Sequence, residues 1–426
     1  MATPFRFPSF LLVRQHFESR RIDNIPAAVQ ATLAESGMAA RLKAGAEVAI
    51  GVGSRGIANI DVIVGAAVAW WKQQGMRPFL FPAMGSHGAA TAAGQAAVLA
   101  KYGITEATMG CPVRSSLAVV DVGLTPEGIR VVMDRTAHRA GGVMLCGRVK
   151  WHTDFEGALE SGLFKMMAIG LGKLAGAKRY HDYGYGMGLE AMIRSVGRVV
   201  LGTGRILGGL AIVEDANHDT ARVEAVPVEN MERREEELLK LAKSWMPRIP
   251  VDLDVLMVNE LGKNFAGSGL DAKVVNRGVW GALNPWPGQP RIGRIYVRGL
   301  SKLSYGNAAG MGMADVVHRR FLKAVKRRPT YQNGLTASQP AAIRTPIHFA
   351  TDRACLEAVC STVGRHDPAE LRVGWIANTL ELGRMALTEN LRGELEQRPG
   401  IEIVGPAREL EFDEKSDLVG WLAGDA

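Results

Sequence analysis

Cysteine is scarce in this 426-residue sequence. Its four, Cys111, Cys146, Cys355 and Cys360, are scattered, and no two stand at Cys-x-x-Cys spacing. That excludes a disulfide scaffold and a thiolate zinc cluster, and reduced thiols are expected. Aromatic residues make up only 6%. No stripe of Lys and Arg interleaved with aromatics occurs, which sets nucleic acid aside as a partner. No uninterrupted apolar run reaches membrane-spanning length, since Arg198 and Arg205 interrupt the best stretch, 196–213. The N-terminal stretch lacks the apolar length and the cleavage site of a signal peptide, so a cytoplasmic protein without membrane contact is expected. Also missing are Gly-x-Ser-x-Gly for an acyl-transfer serine, Gly-x-x-x-x-Gly-Lys-[Ser/Thr] for a P-loop, and His-Glu-x-x-His for zinc.

What is present suits a large enzyme. Hydrophobic residues reach 47% and charged residues 22%, enough for a sizeable core in two or three domains. A net charge of +8 and a pI near 9.4 serve either solubility or attraction to anions, and among specific partners an acidic small molecule or a nucleotide phosphate fits better than nucleic acid. The densest basic run, His318 to Arg328, alternates with apolar residues at helical spacing and is expected as the solvated face of a helix.

The apolar runs place strands at 47–51, 77–82 and 143–149, with helices at about 59–74 and 91–102 between the first two and after the second. That alternation predicts a parallel sheet with crossover helices. A charged helical segment, 228–245, closed by Pro247 and Pro250, is expected to connect two lobes. Strands at 253–258, 294–298, 372–377 and 401–404, with helices at 311–327 and 384–396, predict a second α/β lobe. The expected fold is therefore α/β: two lobes, 1–245 and 246–426, each a mostly parallel sheet flanked by helices, with the active site in the cleft between them.

Three features carry chemistry. The first is the turn Gly51-Val52-Gly53-Ser54-Arg55 at a strand's carboxyl end, where free N–H groups, a hydroxyl and a guanidinium suit an anion. It is not read as a dinucleotide fingerprint. The second is His87, in Gly85-Ser86-His87-Gly88, after the next strand. The third is the glycine-rich segment 148–181, which holds Lys150, His152, Lys165 and His181. Lys165 follows His152 by 13 residues and precedes His181 by 16. A structural lysine paired with Glu156 or Glu160 is the plainer alternative, and zinc held by His152 and His181 lacks the usual local pair.

This ordered set of His, His, Lys and His resembles the nickel-pincer-dependent lactate racemases, proteins with a lactate racemase-like N-terminal domain. The resemblance implies a nickel-pincer nucleotide (pyridinium-3,5-bisthiocarboxylic acid mononucleotide nickel complex) tethered covalently at Lys165, with His181 as nickel ligand. It implies His87 and His152 as the two acid–base residues, with Gly53, Ser54 and Arg55 at the cofactor or substrate anion. Val52 stands where the family's turn commonly begins with Asp, and Gly162-Leu163-Phe164 replaces Gly-Gly-Arg before the lysine. In the second lobe the corresponding substrate region is 261–278, where Lys263, Asn264, Asn276 and Arg277 are candidates.

The implied function is racemisation or epimerisation of lactate or a larger hydroxy or sugar acid, by hydride transfer to the cofactor. Cofactor-synthesis proteins are implied as partners, and a homo-oligomer is compatible with it. A nicotinamide-dependent hydroxy-acid oxidoreductase and a non-catalytic cofactor-binding homologue are the alternatives.

Overall fold

The computed structural model describes residues 5–53, 56–153 and 155–420. The chain forms two compact units. One is Glu18–Met246; the other joins the first 17 residues to the chain from Pro247 onward. The strand β1 (Phe10–Gln15) belongs to the second unit, where the sequence places residues 1–245 in the first lobe. Its partners lie near the other end of the chain, a long-range pairing that local pattern cannot show.

The first unit is built on five strands: β2 (Glu47–Val52), β3 (Arg77–Pro82), β6 (Gly142–Arg148), β7 (Ile206–Glu214) and β8 (Thr220–Pro227). A separate hairpin, β4 (Val119–Leu124) and β5 (Arg130–Asp134), lies between β3 and β6 in sequence. The sheet order is β3-β2-β6-β7-β8, with the first four parallel and β8 antiparallel at the edge.

Side chains alternate between two apolar faces. Ala49, Phe79, Phe81, Val143 and Leu145 pack with residues of 163–200 and with Leu238, Leu239 and Ala242. Val48, Ile50, Leu80, Met144 and Cys146 pack with the helices Ile25–Glu35 and Ile60–Gln73. All four cysteines are buried free thiols, and burial pushes Cys146 up to about 12.

The charged helix Met231–Trp245 is not a free connector. Met231, Glu235, Leu238, Leu239 and Ala242 are buried in the first unit. Its outer face pairs with the helix Leu189–Gly202, through Arg194 to Glu236 at 2.8 Å and Arg198 to Glu232 at 2.7 Å.

The second unit has one eight-stranded sheet. Besides β1 it contains β9 (Leu253–Leu261), β10 (Ile292–Leu300), β11 (Val316–His318), β12 (Ile347–Phe349), β13 (Val373–Ile376), β14 (Arg384–Thr388) and β15 (Ile401–Arg408). The order is β12-β11-β10-β9-β13-β14-β1-β15, parallel from β12 to β13 and antiparallel beyond.

Two helices expected from the sequence are cut short by strands. Residues 311–327 form a short turn, then β11, then the helix Arg319–Ala324. A side chain at Gly312 would collide with the Ala341 carbonyl oxygen, so the chain is drawn into close backbone contact there. Val316 and Val317 then pair with β10. Residues 384–396 begin as β14, because Met385, Ala386 and Leu387 fill the core between β13 and β1. The basic run also turns partly inward: His318 is 4% exposed and lies 2.9 Å from Asp417.

Candidate active site at the carboxyl edge of the first sheet

Val52 of β2 is level with Pro82 of β3 and Cys146 of β6. β2 and β3 therefore end together, β6 runs two residues further to Arg148, and the loops that follow the three strands carry Gly53, His87 and His152. Gly53 N–H donates to the Cys146 carbonyl at 3.0 Å, and Ala83 N–H to that of Val52 at 3.0 Å, so the loops leave the sheet tied to one another. Ser54 and Arg55 lie outside the described residues.

The His87 loop is tightly built. Gly88 has φ +61, and a side chain there would collide with the Gly94 backbone. Ala89 and Ala90 also take positive φ, 55° and 56°, an unusual cost for non-glycine residues that tends to gather at functional loops. Gln95, fully buried, donates its amide to Met84 O at 3.1 Å and Gly85 O at 2.9 Å, holding the approach to His87.

The loop after β6 is closed by reciprocal backbone bonds between Lys150 and Ser161, 3.0 and 3.3 Å. This brings the segment leading to Lys165 back beside the His152 loop. Glu160 organises the turn: it accepts from His152 N–H at 2.5 Å and Gly157 N–H at 3.1 Å, and pairs with Lys243 at 2.6 Å. Burial raises its carboxyl above the ordinary range, and Lys243 opposes the shift. Glu160 is therefore committed to Lys243 and the turn. The His152 ring stacks at 4.4 Å from that of Phe155.

Lys165, half-buried, ends a single helical turn, Leu163–Lys165. Glu235 sits under the start of that turn, accepting from Phe164 N–H at 3.0 Å. Its other oxygen has no hydrogen-bond partner among the described residues, and burial pushes the carboxyl up to about 8. A wide π-helical turn, Met166–Gly170, follows Lys165, a departure that often marks functional sites.

The helix Leu171–Met187 then carries His181. His181 Nδ1 donates to Ala177 O at 2.6 Å, so in the neutral ring the lone pair is on Nε2. Contacts join this segment to the strand ends. A side chain at Gly147, on β6, would collide with Met166 Sδ. One at Gly85 would meet Ile169 at 2.9 Å and Ala177 at 3.0 Å. The Lys165–His181 segment thus runs along the edge that bears the His87 and His152 loops.

Sequence reasoning does not single out Lys173. It is fully buried and donates to Pro82 O at 2.7 Å and Gln95 Oε1 at 2.9 Å, with Asp134 Oδ2 at 3.5 Å. Burial pushes its ammonium below the ordinary value, opposed by Asp134. Glu235 and Gln95 carry no mark in the sequence either, and Glu160 enters there only as a possible partner of Lys165. A charge in a glycine-rich apolar stretch is the available signal, and it applies to Lys173 as well as to Lys165.

The second-unit candidates divide. Asn276 is buried with φ +42. Its amide donates to Trp286 O and Pro290 O at 3.2 and 3.0 Å and its oxygen accepts from Trp286 N–H at 3.1 Å, so it closes a loop. Arg277 is buried against Asp315 at 3.2 Å and Gly293 O at 3.1 Å. The Asn276 amide and both terminal nitrogens of Arg277 are thus taken up within the protein, while Arg277 Nε has no hydrogen-bond partner among the described residues. Lys263 is tied to Gly267 O, and Asn264 is exposed.

Among the described residues, His318, Asp352 and Asp417 also stand close enough to hold an ion. Arg298 and Arg320 already neutralise Asp352, so a cation there would meet two guanidiniums.

The turn after β2 needs one correction. Gly51, Gly53 and Gly56 do stand at Gly-x-Gly-x-x-Gly spacing. In a dinucleotide fold the third glycine packs the helix onto the strand, and an acid ends the next strand. Here Gly56 has φ +46 and open space around it, the helix begins only at Ile60, and β3 ends at Pro82 with Ala83 after it. The nicotinamide alternative is disfavoured by this geometry.

No family model matches the sequence, and neither does any curated protein. Solved structures do. The lactate racemase apoprotein from Thermoanaerobacterium thermosaccharolyticum superposes with a TM-score of 0.52 at 12% identity, over 85% of this chain and 99% of that one. A Thermotoga maritima protein from structural genomics matches with a TM-score of 0.51 at 11% identity, over 85% and 97%. The chain shares the fold of these proteins. No helix among the described residues is long and apolar enough to cross a membrane.

Proposed function

We propose that this chain is a racemase or epimerase of an α-hydroxy acid, lactate or a larger hydroxy or sugar acid, working with a nickel-pincer nucleotide. The observation that carries the reading is the meeting of the His87 and His152 loops with the Lys165–His181 segment at one sheet edge, in a fold shared with a lactate racemase apoprotein.

The residues fit such a group. Lys165 supplies an amine for a covalent tether, and His181 Nε2 supplies a neutral nitrogen for nickel. Gly53, with Ser54 and Arg55, supplies N–H, hydroxyl and guanidinium groups for a phosphate or carboxylate. When bound, the cofactor supplies reversible acceptance of a hydride, which avoids a carbanion beside a carboxylate.

The chain's own residues do the rest. One imidazole, of His87 or His152, takes the hydroxyl proton of one enantiomer. The other, starting protonated, gives a proton to the oxygen as the opposite enantiomer's carbinol forms, and the reverse direction exchanges the two roles. Glu160 keeps the His152 backbone in place, and the closed Lys150–Ser161 turn keeps it beside Lys165.

The test is expression together with the cofactor-synthesis proteins, followed by intact-mass measurement, nickel quantitation and racemisation assays on a panel of α-hydroxy acids. A mass increase at Lys165, bound nickel and turnover are expected. His87→Ala and His152→Ala should each lose roughly 10²–10⁴-fold in rate while keeping the mass increase. An unmodified lysine without nickel, or NAD reduction by a hydroxy acid, would overturn the reading; loading without turnover would leave only a carrier.

A further inference from the structure

Lys173 has no task in the chemistry above, yet its placement is unusual. It breaks the helical segment between Lys165 and His181, with φ 54° and ψ −157°, a conformation that glycine adopts freely and lysine rarely. A glycine would suit that backbone better, so the side chain is what the position requires. All three ammonium hydrogens have acceptors: Pro82 O at the end of β3, Gln95 Oε1, and Asp134 Oδ2 at the end of β5.

Each partner is committed in turn. Gln95 donates to Met84 O and Gly85 O, three and two residues before His87. Asp134 Oδ1 accepts from Thr136 and Ala137 N–H at 2.8 and 3.0 Å. The network therefore runs from the helix break, through one buried cation, to the loop that bears His87.

We infer that Lys173 is a positioning residue, its ammonium fixing the break between Lys165 and His181 to the His87 loop through Pro82 and Gln95. The clamp rests on geometry alone; its use in catalysis rests on the proposed function. A buried lysine that merely neutralised Asp134 would need two more acceptors, but not the end of β3 and the amide that holds Met84 and Gly85. Substitution separates the two roles, because losing one member of a buried ion pair is costly, whereas replacing both by neutral groups is often tolerated.

The experiment compares wild type, Lys173→Met, the double variant Lys173→Met with Asp134→Asn, and Gln95→Leu, all as the full chain. Thermal unfolding and hydrogen–deuterium exchange over residues 83–91 are measured without cofactor. The double variant should regain most of the melting temperature lost by Lys173→Met, while exchange over 83–91 stays about 10-fold or more above wild type. Gln95→Leu, with its ion pair intact, should show the same loosening.

In loaded enzyme acting on lactate or whichever panel acid turns over, kcat should fall roughly 10- to 100-fold in the double variant with KM little changed. Wild-type exchange over 83–91 in the double variant would overturn the clamp and leave Lys173 as a counter-charge. If wild type takes up no nickel, the proposed function fails, and the exchange result still decides the clamp.

Discussion

Two buried charge clusters, one in each unit, are built in different ways. In the second, Asp352 is fully buried and meets Arg298 at 2.9 Å, Arg320, the Tyr296 hydroxyl and Leu418 N–H at 3.0 Å. Asp417 is held by His318 at 2.9 Å and by Asp352 N–H at 2.9 Å. This network fastens the 413–418 turn onto the sheet, and every group in it answers another. In the first unit, buried Glu235 leaves one oxygen unanswered and Lys173 bends its own backbone to reach its partners. Complete pairing in the Asp352 network serves anchorage; the strained pairing of Lys173 lies beside the loop that follows β3.

The sharpest way to break that contrast is Asp352→Ala. It leaves Arg298 buried without its carboxylate and should cost about 3–5 kcal/mol, read by thermal or urea unfolding. The acid limb should change as well. Burial alone would raise the Asp352 carboxyl, but Arg298, Arg320 and Tyr296 outweigh it and hold it far below the usual range. That stabilisation is present above the unfolded carboxyl value and is lost only in strong acid, as pH falls through the folded value. The variant should lose this late acid transition.

Next in size is Asn276→Ala. Three hydrogen bonds to Trp286 and Pro290 disappear, for about 2 kcal/mol of stability. The KM of the folded fraction should stay near wild type; a KM rise of about 10-fold, roughly 1.4 kcal/mol, without loss of stability would restore Asn276 as a substrate contact.

Smallest at about pH 5, and growing as pH rises, is the effect expected from Glu235→Gln. The carboxyl stands at about 8 in the fold because of burial, above its unfolded value. The folded state thus binds the extra proton, and stability falls as pH rises from the unfolded value through about 8, then levels off. A neutral amide at this position would flatten that slope, so the variant should gain on wild type at about pH 9 and differ little at about pH 5. An unchanged slope in the melting temperature against pH would show that Glu235 is ionised throughout.

Much of the first sheet is legible because β2, β3 and β6 are continuous apolar runs bounded by glycine or proline, as a strand covered on both faces requires. Strand β7 is harder to read: Gly208 and Gly209 dilute its apolar run, and Arg205 stands directly before it. The segments 311–327 and 384–396 show helical spacing, but sheet pairing of Val316–His318 and Arg384–Thr388 overrides it.

At the site, the strand ends bearing Gly53, His87 and His152 are visible from the same runs, and the order of His, Lys and His comes from the family resemblance. Lys173 and Glu235 are not visible, because nothing in a linear sequence separates a charge that faces water from one enclosed by a fold.

One consequence follows from β1. It lies between β14 and β15, so the earliest of the described strands has both its neighbours among the latest. During synthesis Glu18–Met246 emerges whole while that strand waits with its edges bare. The first-made unit is in effect an insertion within the other, and completion of the long sheet is timed by the emergence of β15 from the ribosome.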